Sequence, residues 1–320
     1  MASPKNNNNK KFNLRWNLEQ IAKNKRAYLY VLPGLAGLVF LVLYPFAFDV
    51  WISFTNWDVY HNTRLGNLAY VGLKNYLLVF FNPAYGFIQT GENTILWTAG
   101  CVLPTVAIGL LLAIVLNSKT RGKNLYRIFL IVPWAMPSFI TLLVWKGMLD
   151  YDFGIINTVL VELFGPTHRV DWLADPHYAF LAMVLANIWL GYPFMMIIFS
   201  GALQGIPSEL YEAAAIDGAV GWREIRYVVV PLLKPTLLIA LLLGSIWTFN
   251  NFNAGFLITG GGPGISTTIF IVQAYNLAFT AFNFSESATY AFIAFLILAV
   301  VGILWFRYTG VIGGGRKDTQ

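Results

Sequence analysis

Polar side chains inside a long apolar stretch are the first candidates for chemistry in this sequence. The segment GSIWTFNNFNAG, residues 244–255, carries amides at positions 250, 251 and 253. Polar groups within an apolar helix cost free energy unless they face protein or a water-filled path. Four small or polar residues, spaced by four, three and four positions, would share one helical face beside Trp247: Gly244, Thr248, Asn251 and Gly255.

This face suits a sugar as ligand. Amides and hydroxyls supply the donors and acceptors that sugar hydroxyls need, and an aromatic ring such as that of Trp247 can stack on the C–H face of a sugar ring. The same residue types also suit two helices that pack closely through small side chains and are joined by amide hydrogen bonds. The pattern alone therefore leaves a sugar site and a helix–helix contact equally open.

A second candidate is the acidic, alanine-rich segment GALQGIPSELYEAAAIDGAV, residues 201–220. Ser208 is expected to cap a helix by accepting a hydrogen bond from a free amide of its first turn, and Gly218 is expected to end that helix in the left-handed conformation. A second helical stretch, WREIRYVVV, is expected to stop at Pro231. On the residues alone, this helix–turn–helix is best explained as a surface link between two spans. Two acidic side chains are expected to be exposed on it: Glu212 and Asp217.

Other residues with chemical potential lack the partners that catalysis needs. The segment TGGGPG, residues 259–264, lacks the Lys-Ser/Thr pair that ends a phosphate-binding loop. The segment RGKN, residues 121–124, lacks the upstream glycine of such a loop, so the chain is not expected to hydrolyse ATP itself. The histidines lack metal-ligand spacing, and the aspartates between positions 150 and 175 have no nucleophile nearby. The sequence therefore predicts neither an enzyme nor a metal site. These residues are His61, His168 and His177, and Asp150, Asp152, Asp171 and Asp175.

The composition indicates an integral membrane protein. Of the 320 residues, 57% are hydrophobic and 11% are charged, whereas soluble domains carry about 25% charged residues. The single cysteine, Cys101, allows no intramolecular disulfide. Six uncharged windows are each near or above the roughly 18 residues that indicate a spanning helix. They cover residues 27–48, 93–118, 128–145, 177–203, 236–256 and 287–306.

The basic residues set the orientation, because cytoplasmic loops carry an excess of Lys and Arg. All but four of the 21 lysines and arginines fall on one side of the predicted spans, so both termini and the acidic segment are expected to be cytoplasmic. The basic charge is therefore a topology signal, and no nucleic-acid partner is expected. We predict an all-α protein with a transmembrane domain over 27–309 between tails 1–26 and 310–320. The four exceptions are Arg64, Lys74, Lys146 and Arg169.

The segment EAAAIDGAVGWREIRYVVVP, residues 212–231, resembles the EAA loop of permease subunits of ABC importers. Val228 and Val230 stand where that motif has Ile and Leu. The resemblance implies that the helix docks as a coupling helix into a groove on an ATPase subunit, with Asp217 exposed on it. ATP and Mg would be bound by that subunit, so this chain would need no cofactor. The residues that match the motif at its spacing are Glu212, Ala213, Ala214, Gly218 and Pro231.

Further segments resemble the carbohydrate-uptake branch of these permeases: VGLKNYLLVF, DFGIINTVL, WLADP, GALQGIP and ITGGGPGIST. FNNFN, followed by the proline of GGGP, is similar to the maltose-type permeases. Thr248 stands where the maltose subunit has Asn, and Phe194 replaces a Tyr. This resemblance implies sugar contacts on two spans, from Leu190, Gly191, Phe194, Gly244, Trp247, Thr248 and Asn251.

The resemblance also implies partners and a place in the cell. The expected partners are a second, unlike permease, an ATPase dimer and an extracytoplasmic sugar-binding protein, assembled in a bacterial or archaeal cell membrane. The expected substrate is a maltodextrin-like oligosaccharide or another α-glycoside. A permease for a sugar acid, a polyol or a glycerol phosphate ester stays open. A secondary carrier would need charged groups within the spans, but the spans carry almost none, and Asp49 and Lys146 lie at span ends. A membrane enzyme would need clustered ionisable groups or metal ligands, which the sequence does not show.

Overall fold

The computed structural model describes residues 25–59, 68–117 and 122–309. Most of the predicted N-terminal tail, all of the C-terminal tail, His61 and Arg64 lie outside the described residues. The described part is helical, and a boundary between two compact units falls between Trp51 and Ile52. The first helices are α1 (Lys25–Leu38) and α2 (Tyr44–Ile52), joined by a π-helical turn, Val39–Leu43.

The second unit contains the remaining helices. In chain order they begin with α3 (Lys74–Phe81), α4 (Phe87–Asn117), α5 (Lys123–Ala135), α6 (Ser138–Met148), α7 (Ile155–Phe164), α8 (Pro176–Gln204) and α9 (Ser208–Ile216). They are followed by α10 (Trp222–Glu224), α11 (Val230–Phe249), α12 (Phe252–Ile258), α13 (Phe270–Tyr275) and α14 (Phe284–Thr309). A π-helical turn, Ile225–Val229, joins α10 to α11, and another, Asn276–Thr280, follows α13.

Five of the six predicted spans are confirmed as long apolar helices, and the sixth falls on a broken pair of helices. Among the described residues, five helical stretches are long and apolar enough to cross a membrane: Leu29–Ile52, Pro83–Asn117, Pro176–Gln204, Trp222–Phe249 and Phe284–Thr309. The sixth predicted span, residues 128–145, falls on α5 and α6, which are long and apolar enough together but meet at an angle of 91°. The prediction of one continuous span over residues 128–145 was therefore wrong.

The break between α5 and α6 coincides with Pro137. A residue before proline is disfavoured in the helical region because of a clash with the proline ring, and Met136 has extended backbone, with φ −84° and ψ 144°. The chain restarts as a helix at Ser138 in a new direction. The break therefore places a turn and a fresh helix start inside the apolar layer.

The predicted span over residues 236–256 is also interrupted. Helix α11 ends at Phe249, and α12 begins at Phe252. Asn251 lies between them with ψ 90°, and its side-chain oxygen accepts a hydrogen bond from the Ala254 amide at 3.3 Å. Because a new helix starts after Asn251, Gly255 does not share a helical face with Gly244, Thr248 and Asn251 as predicted. A Cβ added there would lie 2.9 Å from Val272 Cγ2.

The crossing of α4 and α8 forms the centre of the packed core. At Gly109 an added Cβ would lie 2.5 Å from Met195 Cβ and 2.9 Å from the Met196 backbone nitrogen. Only glycine allows the two backbones to approach this closely. Next to this crossing, the fully buried Trp97 donates its indole N–H to the Thr248 carbonyl at 2.8 Å. This bond ties α4 to the end of α11, where the chain leaves its helix.

The glycine-rich segment after α12 is a tightly bonded turn structure. The Thr267 hydroxyl lies within hydrogen-bond distance of two acceptors, Thr259 Oγ1 at 2.7 Å and the Gly262 carbonyl at 2.8 Å, which share its one proton. The Asn93 amide of α4 donates to the carbonyls of Ile265 and Thr268 at 3.0 and 3.1 Å. These bonds fix the glycine-rich segment on α4 and hold α12 against the rest of the core.

The acidic helix α9 forms as predicted, but it is not capped by Ser208. Ser208 is its first helical residue and makes no capping bond; the preceding position is Pro207, which has no side-chain oxygen. Gly218 takes the left-handed conformation at φ +76°, as predicted. Pro231 does not stop the second helical stretch, because it lies in the first turn of α11, where its missing N–H is tolerated.

Candidate functional site

A cavity of about 500 Å³ lies where the two helix breaks face α8. The Asn253 amide at the start of α12 donates to Ser138 Oγ at the start of α6, at 3.3 Å. This bond links the two breaks across the cavity's edge. The cavity is lined by Val102, Thr105, Trp134, Met136, Ser138, Leu142, Asn187, Leu190, Gly191, Phe194, Met195, Gly244, Trp247, Thr248 and Asn251.

All seven residues predicted to contact a sugar line this one cavity. Helix α8 contributes three of them and α11 another three, and the seventh lies at the break before α12. Residues spaced by three and four positions on α8 share one face, and that face meets the end of α11. The seven are Leu190, Gly191 and Phe194, then Gly244, Trp247 and Thr248, and finally Asn251. Gly255 is absent from the lining because α12 turns it into the core.

Three aromatic rings form a row along the cavity wall. The Trp134 and Phe194 ring centroids are 5.8 Å apart, and those of Phe194 and Trp247 are 5.2 Å apart. Trp247 is 55% exposed, so much of its ring is free for a ligand. Such a row offers apolar faces to the C–H face of a flat ligand ring.

The polar side of the cavity is built around a pair of amides. Asn251 Nδ2 donates to Asn187 Oδ1 at 2.8 Å, while its own oxygen caps α12. Each carboxamide carries two acceptor sites and two N–H donors, so both amides keep capacity for a ligand. Asn251 is thus a structural residue as well as a cavity residue, and its replacement would also loosen the start of α12.

Sequence reasoning missed several lining residues, and Asn187 is the one that it could have found. This residue is a polar side chain within an apolar span, and it lies three, four and seven positions before Leu190, Gly191 and Phe194 on the same face. Other missed residues lie on α4 and around the break after α5, where a straight helix had been predicted. They include Val102 and Thr105 on α4 and Trp134, Met136, Ser138 and Leu142 around the break, and Met195 on α8 was missed as well.

The cavity is uncharged. Among the described residues that line it, none is Lys, Arg, His, Asp or Glu. Burying a carboxylate or phosphate without a paired charge costs several kcal/mol. The lining therefore suits a neutral ligand that carries both hydroxyl groups and apolar ring faces.

The second candidate is the surface of α9 and the turn after it. Ala214 is buried against the core, and Tyr211 packs on the cluster that contains Val229 and Leu233. Burial, with the Glu224 carboxylate as the second cause, raises the pKa of the Tyr211 hydroxyl, which therefore stays neutral at physiological pH. These contacts fix one face of α9 to the base of α11.

The opposite face of α9 is exposed and combines acidic with apolar groups. Ile216 at the end of α9 is 86% exposed, and Trp222 at the start of α10 is 71% exposed; the side chains of Glu212 and Asp217 are exposed as well. Exposed apolar patches of this kind mark interaction sites. We call the following residues the docking surface: Glu212, Ala213, Ile216, Asp217, Val220 and Trp222. Of the other predicted coupling residues, Ala214 lies on the opposite, core-facing side, Gly218 forms the turn, and Pro231 lies in the first turn of α11.

Comparison with known proteins identifies relatives. Residues 105–312 match a family described as the binding-protein-dependent transport system inner membrane component. The galactooligosaccharides transport system permease protein GanP of Bacillus subtilis (strain 168) is 32% identical over 293 residues, which cover 88% of this chain and 70% of that protein. The trehalose/maltose transport system permease protein MalF of Thermococcus litoralis is 32% identical over 304 residues, or 92% of this chain and 95% of that protein.

A solved structure has the same fold. A chain from the crystal structure of a bacterial alginate ABC transporter, in complex with an alginate pentasaccharide-bound periplasmic protein, matches with a TM-score of 0.79. The match covers 92% of this chain and 98% of that chain, at 18% sequence identity. At this identity, the comparison supports the arrangement of helices.

Proposed function

This chain belongs to the family of binding-protein-dependent transport system inner membrane components, and we propose that it carries a neutral oligosaccharide through the membrane. It is a permease subunit of an ABC importer. The observation that carries the choice of substrate is the uncharged cavity, with its row of aromatic rings and its amide pair. Several relatives are permeases for galactooligosaccharides, maltodextrin, trehalose or maltose, which supports the same class.

The lining favours a neutral glycan over the other solutes that the sequence leaves open. A sugar acid or a glycerol phosphate ester carries an anion, for which this chain's cavity provides no cation. A polyol lacks the ring face that would stack on Phe194 or Trp247. A sugar ring satisfies both the aromatic and the amide side of the cavity.

The proposed mechanism is alternating access driven by a separate ATPase. A binding protein delivers the glycan to the outer side, and the cavity closes around it between this chain and a second, unlike permease. ATP and Mg are bound by the ATPase dimer, and closure of that dimer pushes on the docking surface. The push reaches the cavity because Tyr211 of α9 packs on the cluster that contains Leu233 at the base of α11, and α11 ends in the cavity wall.

The proposed topology places the docking surface and both termini in the cytoplasm. The excess of Lys and Arg beside these segments supports this orientation. The exposed apolar side chains of Ile216 and Trp222 support a protein partner, because contact with water is unfavourable for such side chains and a partner would bury them. A cytoplasmic ATPase subunit can bind the docking surface only if that surface lies in the cytoplasm and offers groups for contact.

The substrate proposal is tested by uptake into vesicles that contain the complete importer, its binding protein and internal or external ATP as the orientation requires. We expect ATP-dependent uptake of neutral oligosaccharides. Uronate oligosaccharides of equal length should enter at least about 30-fold more slowly, which corresponds to ~2 kcal/mol. The same vesicles with ADP give the background. Preferred uptake of the uronate series would contradict the neutral assignment.

A further inference from the structure

A second, smaller cavity of about 170 Å³ lies beside the main one, between α6 and α8. It is lined by Met136, Thr141, Val144, Trp145, Met148 and Trp189. We call it the side cavity. None of these residues except Met136 lines the main cavity, so the function proposed above leaves the side cavity unexplained.

The two cavities meet at the break between α5 and α6. Met136, at that break, lines both of them. Thr141 and Trp189 line the side cavity, while the next residue in each helix, Leu142 and Leu190, lines the main cavity. The boundary is therefore thin, and its shared member is a flexible, unbranched side chain that can change its shape.

The side cavity is mostly apolar and combines two indole rings with one threonine hydroxyl. The Trp145 and Trp189 rings are 6.0 Å apart and inclined at 64°, so they present two apolar surfaces at an angle. Thr141 is only 3% exposed, and its hydroxyl oxygen is buried without a hydrogen-bond partner. A buried polar group without a partner is unfavourable, because the hydrogen bonds that it makes to water in the unfolded chain are not replaced. A ligand with a hydroxyl group beside an apolar ring face would satisfy both features.

We propose that the side cavity binds one further ring of an oligosaccharide whose leading rings occupy the main cavity. This inference rests on the proposed function and adds a preference for chain length to it. The side cavity extends along α6 from Met136 to Met148, towards the end of α6 that the charge pattern places outside. The ring that it holds is therefore the trailing ring of a glycan that enters from the outside.

An alkyl chain fits the side cavity less well. A lipid tail would contact the two indoles but would leave the Thr141 hydroxyl unsatisfied. A side chain of the second permease is another possible occupant. With either occupant, substitutions in the side cavity would affect the uptake of short and long glycans equally. The proposal instead predicts a larger effect on the longer glycans.

The test measures ATP-driven uptake of a series of neutral oligosaccharides, from the disaccharide upward, by the complete importer with one fixed binding protein. Thr141→Val removes the hydroxyl while keeping the size of the side chain. We expect the ratio of kcat/KM for the longer glycans to that for the disaccharide to fall about fivefold, which is the effect of one lost hydrogen bond. Trp145→Leu should lower the same ratio independently.

Two further variants serve as controls. Thr141→Ser keeps the hydroxyl and should retain the ratio of the parent protein. Thr98→Val removes a hydroxyl that bonds within α4, to the Thr94 carbonyl at 2.7 Å, and lies outside both cavities; it should also leave the ratio unchanged.

The outcomes separate this inference from the function that underlies it. An unchanged ratio in Thr141→Val and Trp145→Leu, with normal disaccharide uptake, would overturn the side cavity as a subsite and leave the proposed function standing. Equal losses for all lengths would overturn it as well, in favour of a lipid, a partner side chain or a purely structural role. Failure of the parent importer to take up any neutral glycan would instead refute the proposed function.

Discussion

Glu212→Lys is expected to abolish ATP-driven uptake while the chain still folds and inserts. Glu212 is exposed on the docking surface, so its replacement removes no core contact. A lysine there would place the wrong charge against whatever group of the ATPase pairs with the carboxylate. Disrupting a desolvated charge pair at an interface costs about 2–5 kcal/mol, which weakens docking roughly 30-fold or more. Uptake into vesicles and sugar-stimulated ATP hydrolysis measure the loss.

Glu162→Lys provides the matched control. Glu162 is an exposed glutamate on a helix as well, but it lies on α7, which the charge pattern places on the opposite side of the membrane. The control should transport at the parental rate, which would rule out a general effect of charge reversal. Normal uptake by Glu212→Lys would refute the role of the docking surface.

Trp247→Ala is expected to raise the KM for uptake about 30-fold. Trp247 ends the row of aromatic rings, is 55% exposed and lines the main cavity. Truncating a tryptophan at the centre of a binding site typically costs about 2 kcal/mol or more, which corresponds to that factor. Because little of its ring is packed into the core, the assembled importer should form in normal yield.

Trp51→Ala separates the loss of a ligand contact from the loss of a large aromatic side chain. Trp51 is 46% exposed, on α2, and does not line the main cavity. We expect the KM for uptake by the Trp51→Ala importer to match that of the parent importer. If Trp247→Ala transported every neutral glycan with parental KM, the main cavity would not be the sugar site.

Composition and length were enough to predict the spans, because the bilayer demands about 20 apolar residues for each helix. The breaks were beyond the reach of sequence alone. Pro104 and Pro193 lie within the continuous helices α4 and α8, whereas Pro137 coincides with a 91° bend. The residue type is the same in all three cases, so the outcome depends on how neighbouring helices pack, and the sequence does not state that.

The predicted cavity residues illustrate both the strength and the limit of sequence reasoning. Helical spacing correctly brought Gly244, Thr248 and Asn251 to one place, because the helix continues almost to Asn251. It failed at Gly255, since Asn251 caps a new helix and changes the direction of the chain. Thr105 was missed for a different reason: it joins the cavity through the α4–α8 crossing, a contact between distant parts of the chain.

The central claim is that the docking surface meets an ATP-hydrolysing subunit inside the cell, and site-specific cross-linking tests it most directly. Cys101 is buried and is the chain's single cysteine, so Glu212→Cys in a Cys101→Ser background provides one reactive thiol, with Glu162→Cys in the same background as the control. In the intact assembly we predict a short-range cross-link from position 212, but not from position 162, to the ATP-hydrolysing subunit. The account would be contradicted if position 212 cross-linked to no such subunit, or if a membrane-impermeant thiol reagent labelled it from outside intact cells.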